Sequence, residues 1–110
     1  MSMMIGLQMD ENEGMDESAI LSFFSNDGLS HDDEYLFNGV QRFSYFVAED
    51  ANYLIFKEDN DLDFFTDSVM KYLKSLNSGK ITVRDEESDE DDGYLFIGSV
   101  KEFVKIWDGM

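Results

Sequence analysis

Residues 80–98 hold seven carboxylates, Asp85, Glu86, Glu87, Asp89, Glu90, Asp91 and Asp92, between two short apolar runs. Before them, Ile81 and Val83 alternate with Lys80, Thr82 and Arg84 in the period-two pattern of a half-buried strand. After them comes the apolar run of residues 94–97. The stretch predicts a β-hairpin with an acidic tip, and nothing in it resembles a catalytic signature.

The remaining periodicities supply partners for such a hairpin. Residues 40–48 and 53–57 are rich in aromatic and β-branched side chains and are separated by Glu49, Asp50, Ala51 and Asn52, which predicts two antiparallel strands. In the first, Phe43, Tyr45 and Val47 fall on one face and Arg42, Ser44 and Phe46 on the other, so one face is expected to be buried. Asn38 and Gly39 mark a turn ahead of it. Over residues 61–77, Leu62, Phe65, Val69, Tyr72, Leu73 and Leu76 recur at helical spacing, with Asn60 as the expected cap, Gly79 as the stop and Asp67–Lys71 as an i,i+4 pair. Residues 18–25 predict a shorter helix through Ile20, Leu21, Phe23 and Phe24. Ser99 and Glu102 have capping-box spacing ahead of a C-terminal helix carrying Val100, Phe103, Val104 and Trp107. Residues 1–9 show no sustained period and read equally as an edge strand or as part of a flexible, loosely attached leader over residues 1–15.

The expectation is a single α+β domain over residues 1–110. A mainly antiparallel sheet of about four strands, near 40–48, 53–58, 80–85 and 94–98, packs against one long amphipathic helix at 61–77 and flanking helices. Ten Phe and five Tyr are ample for its interior.

Charge narrows the function. Twenty-five Asp and Glu against eight Lys and Arg give a net charge of −17, and the first basic residue is Arg42. Such a field repels nucleic-acid phosphates and anionic lipid headgroups, so no nucleic-acid or membrane partner is expected. The absence of cysteine excludes disulfides and thiol catalysis, and no apolar run has the length of a signal or a membrane span. A cytoplasmic protein is expected.

Enzymatic constellations do not emerge. His31 is the only histidine and lies in an acidic cluster without a recognisable motif. No carboxylate pair is set apart for acid–base work. Asp59, Asn60, Asp61 and Asp63 resemble a calcium loop, but Phe64 stands where glycine is needed and Met70 where the closing glutamate belongs. No cofactor, metal site or catalytic residue is therefore assigned. An internal echo is present: Asp32, Asp33, Tyr35, Leu36, Phe37 and Gly39 match Asp91, Asp92, Tyr94, Leu95, Phe96 and Gly98. A matched acidic turn entering a strand accounts for it more simply than a functional repeat.

The acidic runs point to a basic protein partner, because they offer its Lys and Arg charge-assisted hydrogen bonds and steer encounter. The expected binding residues are the run Asp85, Glu86, Glu87, Asp89, Glu90, Asp91 and Asp92 and a second cluster of Asp32, Asp33 and Glu34, with Tyr35 and Tyr94 as aromatic anchors or, on the same pattern, core strand residues. As an overall pattern, a small cysteine-free acidic domain with aromatic strands resembles the immunity proteins that neutralise bacterial nuclease toxins, including those of contact-dependent growth inhibition systems. That resemblance implies a non-enzymatic inhibitor in a tight toxin–immunity complex in the bacterial cytoplasm, covering the toxin's basic substrate cleft or blocking its catalytic groups. A nucleic-acid mimic acting on a host or phage protein and a metal-binding module are the alternatives; the oligomeric state is left open.

Overall fold

The computed structural model describes residues 3–9, 16–48, 53–76, 78–85 and 94–109. In chain order the elements are β1 (Met3–Gln8), α1 (Glu17–Asn26), β2 (Ser30–His31), β3 (Tyr35–Asn38), β4 (Gln41–Ala48), β5 (Tyr53–Glu58), α2 (Leu62–Ser75), β6 (Lys80–Asp85), β7 (Tyr94–Ser99) and α3 (Val100–Asp108). The strands form one antiparallel sheet in the order β2-β3-β4-β5-β1-β6-β7. The α+β expectation holds, but the sheet has seven strands instead of about four, and α2, with 14 residues, is the largest of three ordinary helices instead of one long one.

The extra strands are β1, β2 and β3. β1 is not an edge strand: Ile5 pairs with Phe56 on one side and Val83 on the other, in the middle of the sheet. Residues 1–2 and 10–15 of the expected leader lie outside the described residues. β3 and β4 are joined by the anticipated turn, with Gly39 at φ +64°, a left-handed conformation open to glycine at little cost.

Period-two alternation fixes which face is covered. Tyr45, Phe56, Ile5, Val83 and Phe96 are linked by register in one row, and Val47, Leu54, Leu7 and Ile81 in the next. These rows point at the helices. Phe24 of α1 sits within 5.4–5.9 Å, centroid to centroid, of Phe23, Phe43, Phe56 and Tyr72, mostly edge to face, which is the geometry that ring quadrupoles favour. Phe65 of α2 meets Phe43 in the same way, and Phe103 of α3 bridges Phe96 and Trp107.

The helix ends follow their capping residues. Asp16 accepts a hydrogen bond from Ser18 N at 2.9 Å, and Ser99 Oγ accepts one from Glu102 N at 3.1 Å. The α2 cap is Asp61, which accepts from Phe64 N at 2.9 Å, and not the expected Asn60, whose amide instead donates to Val40 O. That helix ends with extended backbone at Leu76, ahead of Gly79 at φ +120°. Lys71 reaches Asp27 at the end of α1 instead of pairing with Asp67, and Lys74 reaches Asp108 of α3. Both are surface pairs of small energetic value that tie the three helices together.

Candidate protein-binding surfaces

The Asp32–Glu34 turn is built as a fixed platform. Asp32 Oδ1 accepts hydrogen bonds from Glu34 N at 2.8 Å and Tyr35 N at 2.7 Å, an Asx-type turn that brings the chain from β2 into β3. Asp32 N donates to Tyr35 O at 3.0 Å, Tyr45 N donates to Glu34 O at 3.0 Å, and the Tyr45 hydroxyl donates to Asp32 O at 2.7 Å. The two backbone donors, Glu34 N first and Tyr35 N second, hold the Asp32 carboxyl below the usual carboxylate range, so it stays ionised. Burial, reinforced by Glu17, Asp32 and Asp33, pushes the Tyr45 phenol up. With Asp32 committed to the backbone, the exposed carboxylates of Asp33 and Glu34 are presented outward.

The second predicted cluster begins at Asp85, a half-buried residue at the end of β6 that already has an interaction partner. Glu86, Glu87, Asp89, Glu90, Asp91 and Asp92 lie outside the described residues. The hairpin on which they are carried is as expected: β6 pairs with β7 from Lys80↔Ser99 to Arg84↔Tyr94, with an irregularity at Val83/Arg84. Of this cluster only Asp85 is described, and it is not brought to the Asp32–Glu34 turn. Asp85 is on a strand four places from β3, about 19 Å across the sheet at ~4.8 Å per strand.

Tyr35 and Tyr94 are brought onto one line. The register runs from Tyr35 through Ser44, Lys57, Met4 and Arg84 to Tyr94, all on the face away from the helices. Neither tyrosine is a core residue: Tyr35 is half-buried and Tyr94 is 46% exposed. Each lies beneath an arginine, with the Arg42 guanidinium 4.4 Å from the Tyr35 ring centroid and that of Arg84 5.6 Å from Tyr94. The echo between the two Tyr-Leu-Phe segments does not extend to packing. Leu36 is buried against the helices, whereas its counterpart Leu95 is 55% exposed and it is Phe96 that turns inward.

The residues that resemble a calcium loop have other work. Asp59 pairs with Arg42 Nε at 2.5 Å, Asn60 accepts from Arg42 N, and Asp61 caps α2 while accepting from Gln41 Nε2. No group of three or more potential metal ligands occurs among the described residues. No helix among them is long and apolar enough to cross a membrane.

One feature escaped the charge-run reading. Four of the eight basic residues, Arg42, Lys57, Lys80 and Arg84, share the face of the sheet that no described helix covers. Their alternation with core positions in β4, β5 and β6 is the signal that would have found them. No family model, no curated protein and no solved structure matches the chain.

Proposed function

We propose that the protein is a non-enzymatic inhibitor that binds a basic protein, and that its partner is a nuclease toxin for which it serves as the immunity protein. The observation that carries this reading is the Asp32–Glu34 turn, an acidic loop held by five hydrogen bonds in a chain of net charge −17. Preorganised carboxylates lose little freedom when a partner's Lys and Arg close on them, so their charge-assisted hydrogen bonds are retained as affinity. Carboxylates so placed take the position of substrate phosphates in a basic cleft. The surplus of 25 acidic over eight basic residues accelerates encounter with such a cleft and rejects acidic competitors.

The test is co-purification with the nuclease domain encoded beside its gene, followed by a nuclease assay of the complex. The expected result is a stoichiometric complex with no nuclease activity, in which Asp33→Lys together with Glu34→Lys lowers affinity by about tenfold or more, chiefly in association rate and at low salt. Failure to associate, or a complex in which the nuclease remains active, refutes the immunity reading. Metal-dependent stabilisation without any protein partner would favour a metal-binding module.

A further inference from the structure

The sheet face that no described helix covers carries an apolar line flanked by basic residues. Phe46, Ile55, Gly6, Thr82 and Ile97 are linked by register in one line that crosses five strands from β4 to β7. At ~4.8 Å per strand this line is about 19 Å long. At its β7 end, on the Lys80 side, lies a trough of about 370 Å³ walled by Tyr53, Lys80 and Ile97. Gly6 lies at its base: a Cβ there would lie 2.6 Å from Tyr53 Oη and 3.0 Å from Thr82 Oγ1, so the absent side chain is what lets the Tyr53 phenol lie across β1. The two ends of the line are open and apolar, with Phe46 59% and Ile97 66% exposed.

Cations stand on both banks. Lys57 and Arg84 flank Met4 two residues to one side, and Lys80 lies beside Gln8 two residues to the other. Among the described residues these rows contain no carboxylate, and Asp59 reaches only the corner at Arg42; Lys57 already has an interaction partner, so Arg84 and Lys80 are the cations that matter on the two banks. Arg84 Nε is buried with no hydrogen-bond partner among the described residues, so its guanidinium has donor capacity unused.

The dimensions select an occupant. Four residues along a strand separate the banks, about 13 Å at ~3.3 Å per residue, close to the ~10–12 Å diameter of an α-helix with its side chains. A helix of about 13 residues has the ~19 Å length of the line. We infer that this face docks an amphipathic α-helix of another protein, with its apolar stripe on Phe46, Ile55 and Ile97 and acidic residues on its two flanks meeting Arg84 and Lys80. A second copy of the chain is a poor fit, because stacking two such faces opposes cation to cation. A single-stranded nucleic acid is also a poor fit, because the net charge of −17 repels its phosphates and Tyr35 and Tyr94 already lie under guanidinium groups. This inference does not rest on the inhibitor reading.

The test uses helix-forming peptides of about 14 residues with one leucine stripe flanked either by glutamate or by lysine, and an oligothymidylate, titrated at roughly 0.15 M salt, where screening beyond ~8 Å leaves local charges to decide. Binding is read from the amide chemical shifts of Gly6, Thr82 and Ile97, so that attachment at the acidic turns does not count. The glutamate peptide is expected to bind at least about tenfold tighter than either of the other probes. Lys80→Glu and Ile97→Asp, both at exposed positions, are each expected to weaken it several-fold, while Asp33→Lys leaves it unchanged. Equal affinity for the two peptides, preference for the oligonucleotide, no shift at these amides, or full binding by either trough variant overturns the inference.

Discussion

Two phenylalanines probe the two sides of the sheet, Phe24 from α1 packed on one face and Phe46 on the other, and truncating each in turn measures that sidedness. Phe24 is fully buried among four aromatic rings, whereas Phe46 is 59% exposed at one end of the open-face line. Phe24→Ala removes a whole ring from the centre of the core. Such truncations cost about 3–5 kcal/mol, and loss of four edge-to-face or tilted ring contacts places this one in the upper half, near 4 kcal/mol. That is a large fraction of the roughly 5–15 kcal/mol expected for a domain of this size. At about 4 °C per kcal/mol, the lower end of the range for small domains and appropriate to 110 residues, the melting temperature falls by about 15–20 °C. Phe46→Ala removes a ring that is mostly in water and is expected to change stability by no more than about 0.5 kcal/mol. Urea unfolding followed by circular dichroism gives both values on one scale, provided that the slope with denaturant is shared. A Phe24→Ala cost below about 1 kcal/mol, or a Phe46→Ala cost comparable to that of Phe24→Ala, would refute the packing of α1 on the Phe43 and Phe56 side of the sheet and remove the basis for the opposite face being the open one.

Two further outcomes follow from individual hydrogen bonds. Tyr45→Phe deletes the 2.7 Å bond to Asp32 O and is expected to cost about 1 kcal/mol, with faster amide exchange at Glu34 and Tyr35; unchanged exchange would show that the acidic turn is held without it. The Asp61 carboxyl is held below its ordinary 3.8 chiefly by Phe64 N and then by Gln41. A depressed folded value gives stability that is fully present above the unfolded pKa and lost as pH falls through the folded one. The melting-temperature difference between the parent and Asp61→Asn is therefore expected to shrink as pH drops from about 5 to about 2, and a constant difference would contradict the assignment.

What was legible in the chain follows from how each element is buried. β4 and β5 have one covered face, so aromatic alternation showed them; α2 and α3 have an apolar stripe and a capping residue, so helical spacing showed those. β1 was hidden because Gly6 occupies its open-face position and methionines blur its start, leaving no polar residue in phase with Ile5 and Leu7 until Gln8. β2, with two residues, is too short to have a period. The Asp32–Glu34 cluster was visible as charge, but two of the five hydrogen bonds that hold it come from Tyr45, on the neighbouring strand β4 and more than ten residues along the chain. The alignment of Tyr35 with Tyr94 required the register of the intervening strands, which no local window contains.

The central position of β1 bears on the order of assembly. β2 to β5 are successive neighbours in both chain and sheet, and β6 and β7 form a hairpin of their own, so each half can pair through short connections. Only β1 joins them, and its partners, β5 and β6, lie dozens of residues further along the chain. Closing such distant contacts is the slow part of forming a sheet. During synthesis β1 leaves the ribosome ahead of every strand it must join, and the continuous sheet exists only when it has slotted between two preformed halves. A fusion or truncation that burdens this strand is thus expected to leave two half-sheets with unpaired inner edges, a species prone to associate with other chains before it folds.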